Sequence, residues 1–195
     1  MDNQFKKILD SAGMPTNEIS RWQGALTDYT IAYMRRELLP HCKPDEDTPP
    51  LVAMVDRAGG MSIFSIFDEL ENGGLEVSTV AQETIRHLCT EHAPIVVGWL
   101  CLSWSLWQPL DGSTPESLDH VRFTNRVYQH PDRVEVVNMI TCDPTATSHV
   151  NVSTIIELQR SHDRAPTLGK RFTVPAEAGF IPRFLLNCIS PAANA

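Results

Sequence analysis

The chain has 195 residues, 42% of them hydrophobic and 21% charged, which suits one ordinary domain with its own core and excludes wholesale disorder. The formal net charge of −8 is concentrated in residues 1–118, which carry 17 acidic and 8 basic side chains against 7 and 8 in residues 119–195. That balance argues against general nucleic-acid affinity, which needs a basic surface to displace counterions from phosphate.

Five scattered cysteines with no Cys-x-x-Cys pair point to a reduced, cytoplasmic protein without a disulfide framework or zinc knuckle. No basic-then-apolar leader opens the sequence, and no apolar run reaches bilayer length, so no membrane partner is expected.

In chain order, residues 3–12 read as a short amphipathic helix ended by Gly13 and Pro15. Over 17–39, Ile19, Trp22, Leu26, Tyr29 and Tyr33 recur at steps of three and four, which aligns them as one helical stripe. Arg35 and Arg36 complement its dipole and Pro40 stops it. Three prolines and three consecutive acids make 41–50 read as a mobile linker. The expected division is therefore a helical arm at 1–40, a linker at 41–50 and an α+β domain at 51–195.

Residues 51–56 and 61–67 are short apolar runs around Arg57-Ala58-Gly59-Gly60, a turn in which glycine tolerates positive φ. They read as a hairpin, although 63–70 fits a helix equally well. Thr79 and Gln82 form a capping-box pattern for a helix to about His92, with Ala81, Ile85, Leu88 and Cys89 inward and Ala93-Pro94 ending it. Residues 95–107 begin apolar on both faces, which predicts a central strand.

The strongest pattern lies at 133–142 and 149–160, two alternating segments joined by the turn-formers 143–148. Val150, Val152, Thr154, Ile156 and Leu158 share one side, a period of two that only a half-buried strand satisfies. This predicts an antiparallel hairpin. A short strand at 170–174 and a helix at 180–189, with Pro182 in its first turn, close the chain. The fold class is α+β: an N-terminal helical hairpin followed by a largely antiparallel sheet with packed helices.

Candidate chemistry is sparse. His87 and Glu91 share a helix face, but His92 stands about 140° away because each residue turns about 100°. No metal site is expected there, and no cofactor is expected at all. His41-Cys42 lacks the third group that a Cys-His catalyst uses. The basic groups Arg122, Arg126, His130, Arg133 and Arg160, His162, Arg164, Lys170, Arg171 read as solvated surface balancing acidic neighbours. Strand pairing would bring Cys142 and His149 to one end of the hairpin near His130, a thiol and imidazoles that could serve a hydrolase or metal enzyme. The competing reading makes Asp143-Pro144-Thr145 an ordinary Asx turn and Cys142 a small apolar strand residue. Trp107 at a strand end and Trp22 on the first long helix are candidate contact residues, because tryptophan concentrates at interfaces. Phosphate-loop, dinucleotide, nucleophile-elbow and kinase patterns are absent from the sequence.

The Trp- and Ser-rich strand at 96–107, followed by a polar loop and Tyr128-Gln129-His130-Pro131-Asp132-Arg133-Val134-Glu135-Val136-Val137, resembles small uncharacterised proteins of bacteriophages and related mobile elements. The likeness covers about the central third of the chain and implies an origin, with no activity attached. The expected function is a non-enzymatic module that binds a protein partner or a second copy of itself. The alternative is a small hydrolase or metal-dependent enzyme using the hairpin-tip residues.

Overall fold

Ser20 starts the first helix by a capping box: its hydroxyl accepts from the Gln23 amide at 3.0 Å, and the Gln23 side chain accepts from the Ser20 amide at 3.1 Å. The computed structural model describes residues 20–66, 79–106, 133–146, 150–176 and 180–189. Helix α1 spans Arg21–Tyr33 and widens into a π turn, Met34–Leu38, before a 3-10 turn, Leu39–His41. Pro40 has no N–H for the Arg36 carbonyl, and the bonding changes in the turn before it. The predicted helix at 3–12 lies outside the described residues, as does the stretch 116–129.

Among the described residues six strands follow: β1 (Leu51–Val55), β2 (Met61–Ser65), β3 (Val96–Leu106), β4 (Arg133–Cys142), β5 (Asn151–Gln159) and β6 (Thr167–Pro175). Helix α2 (Thr79–His92) precedes β3, and helix α3 (Phe180–Ile189) follows β6. The strands form one antiparallel sheet in the order β2-β1-β3-β4-β5-β6. The α+β class and the central position of β3 are as the sequence predicts. β6 is longer than the expected 170–174. An extra residue beside Gly169 bulges this edge strand where the register steps between Ile156 and Leu158.

Asp56 makes the β1–β2 turn. Its Oδ1 accepts from the Ala58 and Gly60 amides, both at 2.8 Å, while Gly59 takes φ +85°, a conformation glycine adopts without Cβ strain.

Alternation sends the sheet's side chains to two cores. On the α1 side Leu26, Ile31 and Met34 pack on Leu51, Ala53, Val55, Leu100, Val137, Met139 and Ile156. On the other side Ile85 and Cys89 of α2, with Ile181, Phe184 and Leu185 of α3, pack on Val52, Met54, Val97, Trp99, Ile140 and Cys142. The result is three layers, helix on sheet on helices. Gly98 admits α1: a Cβ there would lie 2.7 Å from Met139 Cε and 3.6 Å from Leu26 Cδ2.

The segment 41–50 is tied to the sheet by one arginine. Arg160 donates to the Pro44 and Glu46 carbonyls at 3.0 and 2.8 Å and to Asp47 Oδ1 at 3.3 Å, while its fork grips both Glu135 oxygens at 2.6 and 2.7 Å. In this stretch rich in proline and acid, a part-buried bidentate pair supplies a fixed point. Arg171 likewise reaches Asp28 at 2.6 Å, joining β6 to α1. Helix α1 is therefore docked along the sheet by apolar packing and by ion pairing.

Candidate functional site

The β4–β5 end was the one place where the sequence gathers thiol, imidazole and carboxylate groups. His130 and His149 lie outside the described residues, so the description concerns Cys142 and Asp143. The turn begins with the Asp143 amide donating to the Val150 carbonyl at 2.8 Å and the Ala146 amide donating to the Asp143 carbonyl at 3.1 Å. Asp143 is almost wholly buried, and its Oδ1 accepts from the Thr145 amide at 2.9 Å and the Thr145 hydroxyl at 2.6 Å. Its Oδ2 accepts from the Ser20 hydroxyl at 2.5 Å. The buried Gln23 side chain donates to the Val150 carbonyl at 2.9 Å and the Thr141 carbonyl at 3.4 Å. The hairpin tip is thus built onto the N-cap of α1, and its carboxylate already serves three donors.

Cys142 points away from this network, because successive strand residues face opposite sides. Its Sγ lies 3.7 Å from the Pro182 carbonyl oxygen of α3, and burial pushes the thiol up to about 12. Such a thiol is a poor nucleophile at neutral pH. Cys142 and Asp143, adjacent in sequence, consequently belong to different layers.

The other cysteines divide by position. Cys42 donates to the Leu38 carbonyl at 3.5 Å, and burial together with Glu46 raises its pKa, so the neighbouring His41 does not make it a thiolate. Cys101 is buried in the sheet and is pushed up to about 11 by that burial. Cys89 of α2 and Cys142 of β4 lie in the core between the helices and the sheet, and Cys188 of α3 packs against its margin. Interaction between the two helix thiols pushes Cys89 up and Cys188 down, and the Arg86 guanidinium adds to the lowering of Cys188.

His87 and Glu91 form an exposed contact at 3.7 Å, whereas the His92 ring packs on Phe64 with centroids 5.0 Å apart. Among the described residues no group of three or more His, Cys, Asp or Glu side chains is placed to hold a metal ion. The basic group at 160–171 is partly neutralised: Arg160 binds Glu135 and Asp47, Arg164 meets Asp163 at 3.7 Å, and Arg171 pairs with Asp28. No described helix is long and apolar enough to cross a membrane.

Trp107 lies outside the described residues. Trp22 is half-buried beside the β1–β2 turn, where a Cβ on Gly59 would lie 3.0 Å from the indole, and the Arg21 guanidinium sits 5.5 Å from its ring. Farther along the same stripe Tyr29 is 44% exposed and Tyr33 half-buried. Met61 and Ile63 of β2, also half-buried, border the core that Trp22 and Tyr33 flank. Among the described residues β2 pairs only with β1, so this aromatic and aliphatic margin runs beside a sheet edge.

The Asx turn at Asp143 is as the sequence suggests, whereas Ser20 was passed over. The pattern Ser20-Arg21-Trp22-Gln23 is a capping box and was legible. The meeting of Cys89, Cys142 and Cys188 had no sequence signal, because it arises from two helices and a strand far apart in the chain. Comparison with known proteins finds no matching family model, no matching curated protein and no matching solved structure.

Proposed function

We propose that this chain is a non-enzymatic module that binds another protein through the margin formed by α1 and β2. The observation that carries this reading is that Trp22 and Tyr33 of α1 flank the same core as Met61 and Ile63 of the edge strand, while Tyr29, between them in the helix, is 44% exposed. Aromatic side chains combine a large apolar area with a polar tip and are enriched at binding surfaces, and an edge strand adds backbone donors and acceptors that a partner strand can satisfy. The resemblance of the central third to bacteriophage and mobile-element proteins accords with a small binding factor of that origin.

The rival is a hydrolase or metal-dependent enzyme using Cys142, His149 and His130. It has less support, because the Cys142 thiol is buried and held in its protonated form. Stoichiometric zinc or manganese in the purified protein, lost on His149→Ala, would favour it.

Affinity capture from cells with the wild type, Tyr29→Asp and Ile63→Lys, followed by titration of the purified captured protein, tests the proposal. Binding at least about tenfold weaker in both variants is expected, the equivalent of about 1.4 kcal/mol. Equal binding by all three proteins rejects this surface. Sedimentation equilibrium over a range of concentrations separates a distinct partner from self-association.

A further inference from the structure

The outer edge of β2 has a definite hydrogen-bonding phase. The Asp56 amide donates to the Gly60 carbonyl and the Ile66 amide to the Pro50 carbonyl, both at 2.9 Å. Bonded and non-bonded pairs alternate along an antiparallel ladder, and β1 and β2 stay in register from Leu51↔Ser65 to Val55↔Met61. Ser62 and Phe64 therefore turn their N–H and C=O groups towards β1, whereas Met61, Ile63 and Ser65 turn theirs outward. Among the described residues nothing bonds to these three from that side.

The two edges of the sheet differ in how they would meet a further strand. β6 carries Lys170 and Arg171, bulges beside Gly169 and closes on Pro175, all features that protect an edge from pairing. β2, with the sequence Met61-Ser62-Ile63-Phe64-Ser65, has no charge, no proline and no bulge.

We propose that a second copy of this chain pairs with that edge, β2 antiparallel to β2 about a two-fold axis through Ile63, so that two sheets join into one. The inference rests on the reading of α1 and β2 as a binding margin and names what covers it. The outward row is self-complementary: Ile63 meets Ile63 of the other copy and Met61 meets Ser65 of the other copy, each pair exchanging two hydrogen bonds. Side chains fit the same register. Ser62 falls opposite Phe64 in the closer, non-bonded pairs, and Met61 opposite Ser65, so a large side chain meets a small one on either side of the central isoleucines. An unrelated extended segment would satisfy the same backbone groups, but this match of side chains is specific to the strand itself. The axis stands perpendicular to the sheet, which leaves both α1 helices on one face. Trp22 and Tyr33 of each copy, flanking the core that Met61 and Ile63 border, come to lie on either side of the joint and extend a strand contact only five residues long.

Sedimentation equilibrium and amide exchange on the full chain, both over a range of concentrations, test this. A dimer is expected as concentration rises. With it the Met61, Ile63 and Ser65 amides should exchange at least about tenfold more slowly, while those of Ser62 and Phe64, already bonded to β1, change little. Ile63→Pro removes an outward N–H that the β1 ladder does not use, so it should keep the fold by circular dichroism and weaken the dimer at least about tenfold. The exchange measurement uses the unaltered chain and decides the matter even where Ile63→Pro does not fold. A monomer at every concentration overturns the proposal, and it leaves the binding margin standing where Tyr29→Asp and Ile63→Lys still lose a captured protein. A dimer whose three outward amides exchange as freely as in the monomer also overturns it, because the contact then lies elsewhere.

Discussion

The Ser20 hydroxyl donates to the Asp143 carboxylate at 2.5 Å, joining the first residue of the helix cap to the turn of a hairpin 123 positions away. Because Asp143 is 1% exposed, the contact is shielded from water and its removal strands several groups at once. Asp143→Ala leaves the Ser20 hydroxyl and both Thr145 donors without their acceptor and is expected to cost about 2–4 kcal/mol in denaturant unfolding. Ser20→Ala should cost about 1 kcal/mol. In a double-mutant cycle the two should couple by about 1 kcal/mol or more, and strict additivity would refute the anchoring role.

Arg160 is the corresponding anchor at the opposite end of β5. Arg160→Lys keeps the charge and loses the fork that holds Glu135, so it should behave nearly as badly as Arg160→Met, each costing about 1–3 kcal/mol. The local signature is faster protease cleavage and amide exchange within residues 43–47. Unchanged exchange in both variants would mean that the segment is held by something other than this residue.

Stability should fall in alkali because of buried thiols. Cys101 and Cys142 ionise near 9.0 in the unfolded chain but are pushed by burial to about 11 and about 12 in the folded one. From pH 9 upward the unfolded state sheds protons that the folded state retains. The thiols' full contribution is therefore present below pH 9 and is lost as pH rises towards 11 to 12, by up to about 1.4 kcal/mol per pH unit for each. Urea midpoints between pH 8.5 and about 10.5 measure the slope. Cys101→Ala should make the slope shallower, by up to about 1.4 kcal/mol per pH unit, and a slope identical to the wild type would contradict the assignment.

Gly98 sets how closely α1 approaches the sheet. In Gly98→Ala the new methyl meets the movable end of Met139, and the strand gains from the loss of glycine's freedom, so the net change should stay within about 1 kcal/mol. Gly98→Val also presses on Thr141 and Leu26 and should cost about 2–4 kcal/mol. Thermal unfolding of the two variants checks this, and a valine no worse than alanine would show that α1 is free to move outward.

Much of the architecture was readable because it rests on local rules. The alternation at 150–158 defines the buried face of β5, Gly59 and Gly60 make the turn before β2, and a stripe at steps of three and four marks α1. Where the reading departed from the structure, a distant partner had intervened. Residues 41–50 have the composition of a loose linker and are held by an arginine more than a hundred positions away. The hairpin tip has the composition of a site, yet its carboxylate caps a turn and a serine while its thiol belongs to the opposite core.

The strands at 133–142 and 150–158, the central strand that begins at 96 and the helix stripe from Trp22 to Tyr33 were legible from side-chain spacing along one backbone. Long-range packing is what brings Ser20 to Asp143, closes Arg160 on Glu135 and residues 44–47, and sets Cys89 and Cys188 at one core. Such contacts depend on strand order and on the face each helix covers. They are set by how the two cores fill, which no local pattern encodes.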